Sequence, residues 1–166
     1  AAYDTACSAA LVACHAGFRA VQLSECAVSL AAGVNLMFTP GAHRLLAAAG
    51  MTSPCGRCHT FDHRADGYAR GEALVTLSLI QEQEAALRML GSAVRNDGRS
   101  ASLTAPNGQA QQGLLVAALQ DASTSVDTLA LNEAHGTGTA LGDPIEAGSL
   151  VGAVLSAREE VLAVGG

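Results

Sequence analysis

Apolar residues recur in this chain at two periods, and segments of the two kinds alternate. Leu11, Val12, Phe18 and Val21 return at roughly helical spacing within residues 4–23 and predict a helix whose first turn holds Cys7. Residues 26–32, CAVSLAA, are almost wholly apolar, the composition of a strand buried on both faces. A second helix is expected over 40–49, opening on Pro40, which suits a first helical turn, and closing at Gly50. The stretch from Thr52 to Gly71 is dense in Gly, Asp, Arg and His and reads as a long ordered loop, a kind of segment that often carries function. Strand-like runs follow at 73–80 (ALVTLSLI) and 89–94 (MLGSAV), then a Gly-, Ser- and Asn-rich connection from Asn96 to Gly108. A helix over about 109–121, the strand-like VDTLALNEA, a glycine-rich turn, a helix from Pro144 to Ser156 and a closing strand-like EVLAVGG complete the order. Alternation of this kind predicts an α/β fold with a mainly parallel or mixed sheet. There is no internal repeat and no low-complexity tract.

Composition narrows the function classes. With 49% hydrophobic and 14% charged residues, the 166-residue chain is set up to bury a sizeable core rather than to stay disordered. A formal net charge of -6 leaves no basic stripe for nucleic acid. The most apolar stretch, AVSLAAGVNLMF, is interrupted by Ser29, Gly33 and Asn35, so no membrane span is expected. Five irregularly spaced cysteines do not form a disulfide framework and suit a reducing compartment such as the cytoplasm. The opening AAYDTACS has neither Met nor a targeting pattern, so an internal piece of a longer protein is expected.

The first candidate for chemistry is Cys7, in DTACSAALVACHAGFRAVQL. Its position at the start of a helix sets the thiol among unpaired backbone N–H groups and at the positive end of the helix dipole, both of which favour a thiolate. On position alone the favoured reading is a small buried apolar residue.

The second is EAHGTGTALGDPIEA, residues 133–147. His135 follows an apolar strand and precedes a glycine-rich turn, where α/β proteins present functional groups, although a histidine there is often structural. Gly136 and Gly138 permit close backbone approach, while Thr137 and Thr139 offer hydroxyls to an amide- or phosphate-bearing chain. No lysine follows in the pattern of a phosphate loop, and GxGxxG is absent, which disfavours a nucleotide site. Cys7 and His135 together suit thioester chemistry, a cysteine carrying an acyl group beside a histidine that donates hydrogen bonds or protons. They lie 128 positions apart, so only the fold can unite them.

These motifs carry a resemblance. DTACSAALVA resembles the active-site cysteine block of the β-ketoacyl synthase family, and EAHGTGTALGDPIEA resembles its first histidine block. GVNLMFTPGAHRLLAAAGMTSPCGRCHTFDHRADGYARGEA and GSAVRNDGRSASLTAPNGQAQ resemble, in order, the joining segments of modular polyketide synthases. The EAHGTGT, GRCxTFD and DGYxRGE wording is closer to polyketide-type than to housekeeping fatty-acid enzymes.

The resemblance implies a thiolase-like layered α/β/α/β/α fold, present here in part. Residues 1–80 or so would belong to its N-terminal half and about 88–166 to its C-terminal half, usually within a homodimer. It implies decarboxylative Claisen condensation, with Cys7 carrying the acyl chain and His135 stabilising the enolate of a malonyl-type extender. Thr137 and Thr139 match positions that contact a phosphopantetheine arm, which an acyl carrier protein partner would carry; no cofactor of the domain's own is expected. The alternative is a non-elongating relative that binds carrier protein or dimerises without condensing.

Some features depart from the family. Its second histidine and a supporting lysine would fall past Gly166, Ala73 replaces a usual Gly, Cys55 replaces a usual Asp, and the segment 79–90 is short. Cys55, Cys58, His59 and His63 are too close in sequence for a tetrahedral zinc site and read as loop packing. Cys14 and Cys26 read as core residues, His15 and His43 as surface or packing residues. Asp143 and Glu146 suit a helix start, or the orientation of that downstream lysine.

Overall fold

The computed structural model describes residues 1–82, 85, 87–102 and 105–166. Gln83, Glu84 and Ala86 of the short connection, and Leu103 and Thr104 of the Asn96–Gly108 connection, lie outside the described residues.

The amphipathic first segment forms α1, Ala9–Gln22, whose buried residues Cys14, Gly17, Phe18 and Val21 mark one face. It packs on β1, Val28–Asn35, which pairs antiparallel with β2, Ala73–Ile80, in a register running from Val28 opposite Ile80 to Asn35 opposite Ala73. Between them lie α2, Pro40–Ala48, with proline in its first turn as expected, and the long loop. The second half contains α3, Gly108–Asp121, β3, Leu131–Glu133, α4, Gly142–Ala153, and β4, Ala163–Gly165. Asn107 caps α3 by accepting from Gln109 N and Ala110 N, leaving two fewer orphan donors at that end. β3 and β4 pair in parallel, so the described residues hold one antiparallel and one parallel pair.

The core is small. Leu150, Val154 and Leu162 form the buried cluster of the second half, with Leu115, Leu119, Val126 and Leu129 packed on it. The accessible surface is 11,319 Å², against about 7,600 Å² for a compact monomer of this mass.

Two expectations fail here. β1, expected to be buried on both faces, has α1 over one face among the described residues, and Leu30 and Val34 are exposed. Residues 89–94 form no strand among the described residues, and side chains take both backbone groups of Ser92. Asp121 accepts from Ser92 N at 2.8 Å and Arg19 donates to Ser92 O at 2.8 Å.

Candidate active site

Cys7 is exposed, and it lies in a 3₁₀ turn, Ala6–Ser8, just before α1 rather than inside the helix's first turn. The reason is Ala6, whose φ of 53° is left-handed and cannot continue a right-handed helix backwards. Local bonds hold this costly conformation: Asp4 Oδ1 accepts from Ala6 N at 3.3 Å, and Ser8 Oγ donates to Thr5 O at 3.0 Å. Cys7 is thus presented at the tip of a sharp turn, with α1's positive end beside it.

The second candidate group is built on the turn between β3 and α4. Ala134 N donates to Gly165 O at 2.8 Å, extending the β3–β4 pairing up to His135, which is exposed. The chain then turns through Gly136 (φ 57°) and Gly138 (φ 65°), conformations that glycine adopts without steric cost. Both carboxylates of the following helix reach back to this turn. Glu146 accepts from His135 N at 2.6 Å and from Gly136 N at 3.0 Å. Asp143, 5% exposed, accepts from Gly138 N at 3.0 Å and Thr139 N at 3.3 Å with one oxygen. The other oxygen accepts from Phe61 N at 2.7 Å. Asp143 stands in the first turn of α4, as expected, whereas Glu146 lies one turn further in, and both organise the histidine turn. A glycine-rich turn is otherwise poor in polar side chains, so acids 8 and 11 positions after His135 were the available signal for that role.

Thr137 and Thr139 are half-buried, with their hydroxyl oxygens 3.2 Å apart, and Thr139 Oγ1 accepts from Gly142 N at 3.1 Å. A cleft of about 370 Å³ opens beside Thr139, lined by Phe61, His63, Ala140, Pro144 and Ala147 among others. A larger cleft of about 520 Å³, between the start of α3 and α4, is lined by none of Cys7, His135, Thr137 and Thr139. It belongs to a different surface.

The long loop completes the arrangement. It is ordered by a bridge between Thr52 and Tyr68, with Ser53 N donating to Tyr68 O at 3.0 Å. From it, Thr60 Oγ1 donates to Gly136 O at 2.6 Å and Gly67 N to Gly138 O at 2.8 Å. Composition marks this loop as functional without identifying these bonds. Within it Cys58 Sγ accepts from Ala69 N at 3.2 Å, and Arg64 donates to Asp62 from its guanidinium and its backbone N–H, holding that carboxyl below the usual carboxylate range. Among the described residues no hydrogen bond joins Cys7 to His135.

A cysteine presented on a strained turn, and a histidine turn clamped by two carboxylates of α4, lie here on α/β halves of the thiolase-like kind. Profile comparison is specific about the family: the Beta-ketoacyl synthase, N-terminal domain family matches residues 1–85, and the Beta-ketoacyl synthase, C-terminal domain family matches residues 87–166. The chain belongs to the β-ketoacyl synthase family. It is 44% identical over 164 residues to Highly reducing polyketide synthase 40 of Fusarium mangiferae, covering 95% of this chain and 7% of that protein. It is 46% identical over 154 residues to a phenolphthiocerol/phthiocerol polyketide synthase polypeptide of Mycobacterium tuberculosis, covering 89% of this chain and 7% of that one. Among solved structures, the ketosynthase from module 6 of the bacillaene synthase of Bacillus subtilis 168 superposes with a TM-score of 0.90 at 32% identity, over 98% of this chain and 31% of that chain. The oxazolomycin ketosynthase domain of Streptomyces albus JA3453 gives 0.88 at 34%, over 97% and 30%. The thiolase-like fold and the polyketide-type affinity expected from the sequence both stand, with the fold present in part. No helix of the described residues is long and apolar enough to cross a membrane.

Proposed function

We propose that these residues are the central part of a ketosynthase that extends an acyl chain by decarboxylative Claisen condensation in polyketide assembly, residues 1–80 serving its first half and 88–166 its second. The observation that carries the reading is the His135 turn, whose backbone N–H groups are held by Glu146 and Asp143 while Thr137 and Thr139 keep their hydroxyls at its inner side.

In this reading Cys7 attacks the carbonyl of an acyl thioester, and the carrier's thiol leaves. Its own N–H, at the tip of the Ala6 turn, donates to the oxyanion that forms. The extender's carboxylate then leaves as carbon dioxide, and its bonding pair becomes the enolate. His135 donates a hydrogen bond to that developing charge. The enolate carbon attacks the Cys7 thioester, the new carbon–carbon bond forms, and Cys7 leaves as thiolate. Thr137 and Thr139 hydrogen-bond the amides of a phosphopantetheine arm that belongs to the acyl carrier protein partner. The intact protein is a homodimer and supplies a second histidine and a lysine from beyond Gly166.

The test is mass spectrometry of the intact synthase after exposure to an acyl thioester. One acyl mass should be gained and lost again in Cys7→Ala, and addition of a malonyl-carrier protein should release a β-ketoacyl product from the parent. Labelling that persists in Cys7→Ala would refute the nucleophile assignment.

A further inference from the structure

The His135 turn is held from two directions by two parts of the chain that are distant in sequence. Glu146, on α4, takes the N–H groups of His135 and Gly136. The Gly136 carbonyl, on the other side of the same residue, takes its hydrogen bond from the Thr60 hydroxyl at 2.6 Å. The two bonds fix the peptide planes on either side of Gly136, and the first of these planes begins at His135. Glycine at φ 57° has no side chain to hold it there, so these bonds set its orientation.

Shape adds to hydrogen bonding. A Cβ built on Gly136 would lie 2.6 Å from Thr60 Cγ2 and 2.9 Å from Gly166 Cα. The Thr60 methyl therefore occupies the space that any side chain at position 136 would need, beside the carbonyl to which its hydroxyl donates. Gly136 is buried and Thr60 half-buried, so water has little access to the carbonyl as a substitute donor. Neighbouring bonds brace Thr60 itself: Phe61 N is held by Asp143 at 2.7 Å, and Gly67 N by Gly138 O at 2.8 Å.

We propose that Thr60 is a positioning residue for His135, through which the long loop of the first half sets the imidazole of the second half for extender decarboxylation. The inference rests on the condensing function proposed above. Thr60 touches no reacting atom. Its effect falls on the step that needs His135 and spares acyl transfer to Cys7, which sits on a separate turn.

Two half-reactions of the intact synthase test this: acylation of Cys7 by an acyl N-acetylcysteamine thioester, followed by intact mass, and carbon dioxide release from a malonyl-carrier protein. Thr60→Val keeps the shape and removes the donor. It should lower kcat for decarboxylation about 10- to 100-fold, the scale of a catalytic group misplaced by an ångström, with KM for the carrier and the acylation rate little changed. Thr60→Ser, which keeps the hydroxyl, should recover decarboxylation to within about threefold of the parent. If Thr60→Val does not fold, Thr60→Ala and Thr60→Ser are compared in its place, with the same split expected. Decarboxylation at parental rate in Thr60→Val, equal losses in both half-reactions, or Thr60→Ser no better than Thr60→Ala would each overturn the assignment. A parent that is acylated at Cys7 and does not decarboxylate would overturn it together with the condensing function.

Discussion

Asp143 and Phe61 are 82 positions apart, and the Asp143 carboxylate accepts the Phe61 backbone N–H at 2.7 Å. The same carboxylate accepts from Gly138 and Thr139, so one buried side chain ties the long loop to the histidine turn. Its removal orphans three N–H donors, that of Gly138 buried and those of Phe61 and Thr139 partly so. An unsatisfied buried donor costs about 1–3 kcal/mol.

Asp143→Ala is therefore expected to destabilise the intact ketosynthase by about 2–4 kcal/mol, because three N–H groups lose their acceptor and water replaces part of the loss. Asp143→Asn should fall between, since an amide keeps one acceptor and turns a donor toward the remaining N–H groups. Urea denaturation at neutral pH measures both. A loss under about 0.5 kcal/mol, the range of an ordinary surface substitution, would show that the carboxylate does not hold the turn.

Ala6 makes a second prediction. At φ 53° a Cβ is unfavourable and a β-branched one more so. Ala6→Gly should leave stability within about 1 kcal/mol of the parent, or improve it by that amount, by relieving the left-handed strain. Ala6→Val should destabilise the turn and slow acylation of Cys7, because the helix would be drawn back through the position that presents the thiol. Acylation kinetics by intact mass decide the matter: equal rates for Gly and Val at position 6 would mean that the turn's geometry does not position Cys7.

Much of this site is legible in the sequence, and the limits have physical causes. Cys7 before a helical pattern, and His135, Thr137 and Thr139 among glycines, announce themselves because local chemistry and local spacing suffice. The long loop announces itself by composition. The bonds from Thr60, Phe61 and Gly67 to that turn do not, since they join segments some 70 to 80 positions apart and two of the three use a backbone N–H as donor. The strand expected over 89–94 fails for a related reason. Its apolar pattern is genuine, but Arg19 and Asp121 take the backbone of Ser92 across 73 and 29 positions, from helices whose own presence is legible but whose contact with this segment is not. Buried character is inferred correctly for Cys14 and Ala31, whereas Leu74 and Val75 have the composition of covered residues and no cover in this chain.

The Arg19–Asp121 pair joins α1 to the end of α3, with a nitrogen–oxygen distance of 2.6 Å. The Arg19 guanidinium, followed by the Ser92 N–H, holds the Asp121 carboxyl below its ordinary pKa of 3.8. A depressed pKa in the folded state means that the bond contributes fully above the unfolded value and is lost as pH falls through the folded one. The stability gap between the parent and Asp121→Asn should therefore be constant near neutrality and narrow only below about pH 4. Partial exposure of both side chains makes the gap modest and sensitive to salt. Chemical denaturation of both proteins across about pH 3–7 measures it, and a gap that instead widened on acidification would reverse the assigned sign.

The last prediction concerns the 166 residues by themselves. Leu30 is 70% exposed, Val34 62%, Leu74 69% and Phe38 86%, and the first two lie on one strand with Leu74 on its antiparallel neighbour. Apolar strands left uncovered, with unpaired ladder edges, associate with other copies in water. The buried cluster around Leu150 and Val154 is too small to offset that exposure. Expressed alone, the chain should self-associate, bind a hydrophobic dye strongly and catalyse no condensation. Analytical ultracentrifugation and a thermal melt are the measurements, and a monodisperse monomer with a sharp cooperative transition would show that these strands find their cover within the 166 residues.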